Sequence, residues 1–586
     1  MREWTFGVGL LIAAAANSPA AASGHVTLCH FDQETGVGTN FAAAMVGGGG
    51  VTFGCPARSV IRLSHPYQLY DSINIDGGGH ITLDAAGGRM FVGADESVHL
   101  TLGHLTLENA LDTGPIPLRG FAYLGSVVSG PMTVEMEEVT VRNSKHPIDV
   151  DSFRVNHGQF SKITDVVVRV GVLDAQNTDF ACDVRSFPFA FRGTTSLAFD
   201  NVSVTGCGRI WSYGGTTIKR SRFVNNQLGP NESPGAAVHI GDGEASIEKS
   251  QFVNNSAAGG GAIYISGGKL KLRRVDFISN TSTGTRGGGA ILAELDATSS
   301  NSIVIEAGHT SFRDNKAENG GAVAIENSST HPITFSSDAM MFYHNSANGR
   351  GGAFSLDAAG ASFGRAMFVQ NEARQGGAIA GGSRSSVMLA NSLLVRNLSR
   401  EGGAFVGPAL KLTNVTVAAN RGVAIVGRSP GERSDIVLSN SIVANNPDGN
   451  CASLGSRVVD NGHNLQDRDA SCGITIPMAD PQLDDQFYVP HPLSPARRAG
   501  DNATCLAAPI SARDVYGEMR PQGEKCTIGA VEGTVSRYAL RHLRDTPEGR
   551  LDRDLVVLRR LVWPDVDRRE PNRPPNPGKP GRSEAQ

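Results

Sequence analysis

Long apolar runs are almost missing from this 586-residue chain. Beyond the N-terminal segment no stretch approaches the ~20 apolar residues that a bilayer-spanning helix needs. Aromatic residues are scarce at 6 %, and most of them are Phe. There is no excess of positive charge: 53 Lys and Arg stand against 57 Asp and Glu, which argues against a globally basic nucleic-acid binder. No two of the eight cysteines form a C-x-x-C, which disfavours zinc or dithiol chemistry. Apolar spacing at i, i+3, i+4 is absent until the last fifty residues, which excludes a helical repeat. A recurring L-x-x-L-x-L pattern, which a leucine-rich repeat needs, is absent. What the chain has in plenty is glycine, 71 residues, within a composition 40 % hydrophobic and so able to bury a large core.

The ends read differently from the middle. Residues 1–22 have the pattern of a secretory signal peptide: Arg2, an apolar stretch from Phe6 to Ala16, and a small-residue site at Ala20-Ala21-Ala22. Val26-Thr27-Leu28 before Cys29 lacks the small residue that a lipid-carrying cysteine requires. In an exported chain an even number of cysteines favours disulfides. Cys29, Cys55, Cys182, Cys207, Cys451, Cys472, Cys505 and Cys526 fall into sequential couples spaced 26, 25, 21 and 21. At the other end, residues 537–586 hold 12 basic and 8 acidic side chains. Leu551, Leu555, Leu558 and Val562 share one helical face there, Pro564 ends it, and a Pro-rich, disordered tail is expected to follow.

Between the ends runs a repeat. One half is Phe-x-x-Asn: Phe223/Asn226, Phe252/Asn255, Phe277/Asn280, Phe312/Asn315, Phe342/Asn345 and Phe368/Asn371. Degenerate copies continue as Leu394/Asn397, Val417/Asn420 and Ile442/Asn445. The other half is Gly-Gly-Ala plus an apolar residue, beginning at Gly260, Gly288, Gly320, Gly351, Gly376 and Gly402. Successive asparagines are 29, 25, 35, 30, 26, 26, 23 and 25 residues apart. A drifting period with alternating strands between Gly/Asn corners predicts a right-handed parallel β-helix of three short strands per coil. Coils ~4.8 Å apart stack like residues into ladders. Asn can pass amide hydrogen bonds from coil to coil and tolerates left-handed backbone, Gly-Gly allows the tight corner, and Ala fits a narrow interior edge. Cys29–Cys55 and Cys182–Cys207 are each about one coil apart, within reach of a disulfide. The expected organisation is a cap over 23–68, a β-helix over 69–450, a C-terminal cap over 451–536, and the tail.

These motifs resemble the polymorphic outer membrane protein repeats of chlamydial surface proteins. More widely, residues 40–535 or so resemble bacterial right-handed β-helix proteins with a choice-of-anchor Q domain. The N-terminal likeness rests on Gly47 to Gly50, Val51-Thr52-Phe53, Ile75-Asp76-Gly77 and Leu105-Thr106-Leu107-Glu108-Asn109. The C-terminal likeness rests on Gly462-His463-Asn464-Leu465, Asp480-Pro481, Leu493-Ser494-Pro495-Ala496 and Gly500-Asp501. It continues through Arg513-Asp514-Val515-Tyr516-Gly517, Arg520-Pro521 and Cys526-Thr527-Ile528-Gly529-Ala530-Val531-Glu532. The resemblance implies a pectin lyase-like fold and a secreted or envelope-associated protein. The chlamydial relatives are adhesins with a C-terminal autotransporter barrel. The strand ladder of such a barrel is not evident after residue 535, nor is another anchor.

Many β-helices cleave acidic polysaccharides. Asn177-Thr178-Asp179 imitates one pectin-hydrolase motif, but its companion motifs are missing. Asp149 and Asp151, two apart on a strand, project from one face with Arg142, Lys145, His146 and Arg154 near in sequence. A lyase would use such carboxylates to hold calcium and a basic group to abstract a proton. A solvated strand face explains the same residues. No H-E-x-x-H, phosphate loop or calcium-binding nonapeptide occurs. The expectation is an exported β-helix protein presenting a surface for adhesion or envelope interaction, with no cofactor or metal. Its partner would be a glycan or a cell-surface or envelope protein, not a nucleic acid. A polysaccharide-degrading enzyme and a structural stalk are the alternatives.

Overall fold

The computed structural model describes residues 24–533 except 112–126, 146–147, 165–167, 184–188, 230–233 and 430–434. The signal-peptide pattern, His146 and the C-terminal tail lie outside the described residues. Two compact units are present, Met1–Arg185 and Ser186–Gln586. Both are parallel β-helices, with each strand paired in parallel to its equivalent one coil further on.

In the first unit the pairing begins with Gly24–Val26 against Gly49–Phe53. Strand Ile73–Asp84 then pairs with His99–Glu108, and Ile148–Asn156 lies between Val128–Glu137 and Val168–Gln176. Alternation decides the faces: Ile73, Ile75, Ile81 and Leu83 point into the core and their neighbours outward. A short helix, Phe41–Ala44, is capped by Asn40, whose Oδ1 accepts from the Ala43 amide at 2.8 Å. Cys29 and Cys55 are joined with Cα atoms 5.8 Å apart.

A representative coil of the second unit has four strands, not three: Ile263–Ile265, Gly268–Arg273, Asp276–Ile278 and the two-residue Thr281–Ser282. The fourth belongs to a separate six-stranded sheet of very short strands. Inside, Phe223, Phe252, Phe277, Phe312, Phe342 and Phe368 form a continuous stack with centroids 4.6–5.1 Å apart. Burying each ring is worth about 3 kcal/mol.

The asparagine ladder is saturated. Asn255 Oδ1 accepts from the Asn226 amide and Nδ2 at 3.1 and 2.9 Å. Its Nδ2 donates to Phe223 O and Asn280 Oδ1 at 3.1 and 2.9 Å. All four bonding positions of a wholly buried amide are therefore filled without water. The pattern holds at the far end of the phenylalanine stack. Asn371 Oδ1 accepts from the Asn345 amide and Nδ2, and its own Nδ2 donates to Phe342 O and Asn397 Oδ1, all at 3.0 Å.

Two details refine the sequence reading. Asparagine tolerates left-handed backbone, yet the ladder asparagines Asn226, Asn255, Asn280, Asn315, Asn345 and Asn371 do not adopt it. The left-handed residue is instead the one before each: Asn225, Asn254, Ser279, Asp314, His344 and Gln370, with φ between +53° and +57°. The corner residue turns the chain, and the asparagine that follows can then aim its amide inward along the stack. The second is a correction: the last copy is Val443/Asn446. Val417 faces Val443, the Asn420 amide donates to Asn446 Oδ1, and Asn445 is the left-handed residue before it.

The Gly-Gly-Ala corners have distinct roles by position. The first glycine is left-handed, as at Gly320 with φ +57°. The second has no room: a Cβ on Gly321 would lie 2.1 Å from Gly352 O in the next coil. The alanine, Ala322 here, is fully buried.

After Leu465–Gln466 the chain leaves the coil and wraps over the sheet carrying Ser311–Arg313, Met341–Tyr343, Met367–Val369 and Leu393–Val395. The outward column of that sheet changes character accordingly. Gln251, Asp276 and Ser311 give way to Met341, Met367 and Leu393, which pack under Phe487, Val515, Tyr516 and Val531. Cys451–Cys472 and Cys505–Cys526 cross-link this region, with Cα atoms 5.0 and 6.7 Å apart. Cys182 and Cys207 are also disulfide-bonded. Among the described residues no helix is long and apolar enough to cross a membrane.

Candidate functional site

Asp149 and Asp151 sit on strand Ile148–Asn156, where Ile148 and Val150 turn into the core. Asp149 is half-buried and Asp151 exposed, so both face outward beside a shift in register after Val150. Two of the nearby basic residues are engaged with other carboxylates: Arg142 with Glu108 at 2.5 Å and Arg154 with Glu135 at 3.0 Å. Among the described residues no cluster of three His, Cys, Asp or Glu side chains could hold a metal ion.

A second group escapes sequence reading because its members are 32 residues apart. Buried Asp32 accepts from the Ser64 amide at 2.9 Å, the Ser64 hydroxyl at 3.0 Å and the Tyr67 hydroxyl at 2.8 Å. His65 joins them, yet Ser64 Oγ and Asp32 Oδ2 both face its Nδ1, at 2.9 and 3.6 Å. A nucleophilic relay needs hydroxyl and carboxylate on opposite ring nitrogens. The group instead ties the first coils together.

In the second unit an outward column is aromatic. Register places Trp211 against His239 and His239 against Tyr264. Their centroids are 5.0 and 4.8 Å apart, and Tyr213, 44 % exposed, stacks on Trp211 at 5.3 Å. The buried Arg209 guanidinium lies 5.2 Å from the Trp211 ring. Burial, aided by Arg209, pulls the His239 imidazole down to about 3. Its Nε2 reaches Ser266 Oγ at 3.4 Å. Beside this strip Glu294, Glu326 and Asp357 follow one another in register. Glu294 accepts from Tyr264 at 3.1 Å and pairs with Arg286 at 2.8 Å. Burial pushes the Glu326 carboxyl above its ordinary value, although the Gly287 amide opposes this, and Glu294 adds to the rise. These carboxylates stand in line along one face.

The depressed His239 value has a consequence for stability. Below pH 6.5 the unfolded chain binds a proton that the folded ring refuses, so stability present above 6.5 is lost as the pH falls towards 3. Between pH 6.5 and 5 this costs about 2 kcal/mol. His239→Phe is expected to flatten that part of the pH dependence in denaturant unfolding of this unit. In a histidine-labelled sample the His239 resonances should stay in their neutral positions at pH 5. A ring that titrates near 6.5 contradicts the burial.

The short sheet carries a shallow groove of about 810 Å³ over Ser346–Ala347, Glu372–Gln375 and Leu398–Glu401. Its inward residues stay small down the stack: Ala257, Ser282, Ala317, Ala347, Ala373 and Ser399, all buried. The outward residues beside them vary freely: Ser256, Thr281, Lys316, Ser346, Glu372 and Leu398.

The repeat unit itself finds a match. Residues 249–266 match the Chlamydia polymorphic membrane protein (Chlamydia_PMP) repeat. The chain is a parallel β-helix with repeats of this type, and the matched segment contains one Phe252-x-x-Asn255 and one Gly260-Gly261-Ala262-Ile263. No curated protein and no solved structure matches the chain.

Proposed function

We propose that this is an exported protein that presents an extended β-helical surface for adhesion or for interaction at the cell envelope. The observation that carries the reading is the contrast within the short sheet. Its inward positions hold only Ala and Ser, while the outward positions one residue away run through Ser, Thr, Lys, Glu and Leu. A scaffold held by internal ladders leaves its exterior available to a partner. The repeat match supports a surface role, as do the signal-peptide pattern and the disulfides, which suit an oxidising compartment. Within the C-terminal segment, residues 467–533 act as the cap, covering the sheet that carries Met341, Met367 and Leu393, while 451–466 complete the last coil.

Antibody labelling of intact cells producing the full chain tests this. Surface labelling, or recovery of the protein in the medium, is the expected result. Labelling only after the cells are permeabilised to the cytoplasm contradicts export.

A further inference from the structure

The groove over the short sheet sets like charges against each other. Strands Glu372–Gln375 and Leu398–Glu401 pair with Ala373 opposite Ser399 and Gln375 opposite Glu401, which sets Arg374 opposite Arg400. Neighbouring strands are ~4.8 Å apart, and like charges directly opposite destabilise a sheet. Several outward arginines on other coils are answered by a carboxylate from an adjacent one, as Arg220 is by Asp200 at 2.6 Å and Arg457 by Asp435 at 3.2 Å, whereas here the residue opposite is a second arginine. Among the described residues neither Arg374 nor Arg400 has an ion pair or a side-chain hydrogen bond, and both are exposed. The carboxylate lining the groove, Glu372, does not pair with either.

We propose that Arg374 and Arg400 form a binding site for an anionic group, sulfate or carboxylate, carried on a glycan chain. This rests on the presentation reading above and names its ligand class. Two stacked guanidinium forks offer paired N–H donors to one oxyanion, which would relieve their mutual repulsion. Leu398, 39 % exposed in the groove, gives a sugar ring an apolar contact, and Ser346 and Asn348 give its hydroxyls polar ones. An acidic peptide fits less well. Glu372–Gln375 is paired on both sides, and beyond Leu398–Glu401, the last strand of this sheet, the next coil bridges Leu398 through Arg421, whose carbonyl accepts from the Ser399 amide at 3.1 Å, which leaves a peptide strand little open edge to which it could add.

Calorimetry with the full chain tests the site, using a heparin-derived hexasaccharide, a galacturonate hexamer, neutral maltohexaose and a poly-glutamate peptide. At least one acidic hexasaccharide should bind, and which one does separates sulfate from carboxylate recognition. Maltohexaose should not bind. R374Q/R400Q should weaken that binding tenfold or more, and E372Q should tighten it. All three substitutions are at exposed positions, and unchanged circular dichroism and thermal melting will show that the fold is intact. Undiminished binding by R374Q/R400Q overturns the site, as does failure of both acidic hexasaccharides, or equally tight binding of poly-glutamate. Intact-cell labelling separates the two claims. If labelling succeeds while R374Q/R400Q changes nothing, only the groove assignment falls. If labelling fails, presentation falls and calorimetry still decides the groove.

Discussion

Asn315→Ala is expected to destabilise the second unit by about 3–5 kcal/mol, among the largest single-site effects in the chain. The substitution leaves four buried groups without their partner. The Asn280 amide and Nδ2 lose Oδ1, at 2.9 and 3.0 Å. Phe277 O and Asn345 Oδ1 lose Nδ2, at 3.0 and 2.9 Å. Water cannot easily replace the lost bonds, because the ladder is wholly buried. Asn315→Asp should be no better. It restores the acceptor but sets a buried carboxylate against Phe277 O and Asn345 Oδ1, where two oxygens would face it. Denaturant unfolding followed by near-ultraviolet circular dichroism checks both variants, and hydrogen exchange should show the loss centred on coils 277–345. A cost below about 1 kcal/mol would mean that the ladder is incidental to stability.

The second large effect is at Arg520. Its side chain is fully buried beneath the wrap, paired with Glu532 at 3.0 Å. It also donates to Asn391 Oδ1 at 2.7 Å and to Thr527 O and Gly529 O at 2.9 Å each. Burial pulls the guanidinium below its usual range, and Glu532 and Asp514 oppose that. Burial also pushes the Asp514 carboxyl up to about 6 even though it accepts from the Tyr516, Glu518 and Glu532 amides. Arg520→Met strands the Glu532 carboxylate in this setting. Removing one member of a buried ion pair costs about 3–5 kcal/mol. The wrap should detach before the coils unfold, exposing Met341, Met367 and Leu393 to solvent. Limited proteolysis reads this directly, as early cleavage within 467–533. Arg520→Met with Glu532→Gln should recover part of the loss. A single variant as resistant as the parent would show that the pair does not hold the wrap.

The ladders were legible in the sequence because a repeat fixes one residue type at each register. Phe, Asn and Gly-Gly-Ala recur wherever a stacked ring, a saturated amide or a corner without room for Cβ is required. The left-handed corner was not legible because its occupants, Asn225, Asn254, Ser279, Asp314, His344 and Gln370, are of five side-chain types, whereas the asparagines beside them never vary. The slip at Asn445 has a local cause. Ile442 and Val443 are equally apolar, and Asn445 and Asn446 stand side by side, so spacing alone could not choose between them. Coil-to-coil register decides it. The same limit hid the outward neighbours. Loops of unequal length lie between Trp211, His239 and Tyr264, and their stacking follows only from strand pairing. Arg374 and Arg400 stayed invisible because the short sheet that aligns them has no strong strand pattern. Met341 and Met367 broke the expected alternation because a distant segment covers them. The C-terminal signature residues, read first as a family likeness, turn out to build that cover: Asp514, Arg520, Thr527 and Glu532 lock it to itself, and Asn391 joins it to the coils. Around Asp149 and Asp151, sequence could not show that Arg142 and Arg154 are held by Glu108 and Glu135.

Presentation of a surface, as opposed to chemistry upon a polysaccharide, is tested most directly by one measurement on a glycan panel: capture of the full chain, followed by analysis of the captured glycans for new reducing or unsaturated ends. Capture with every glycan recovered intact is the expected result. Release of shortened or unsaturated products would contradict a presenting scaffold and make the protein an enzyme.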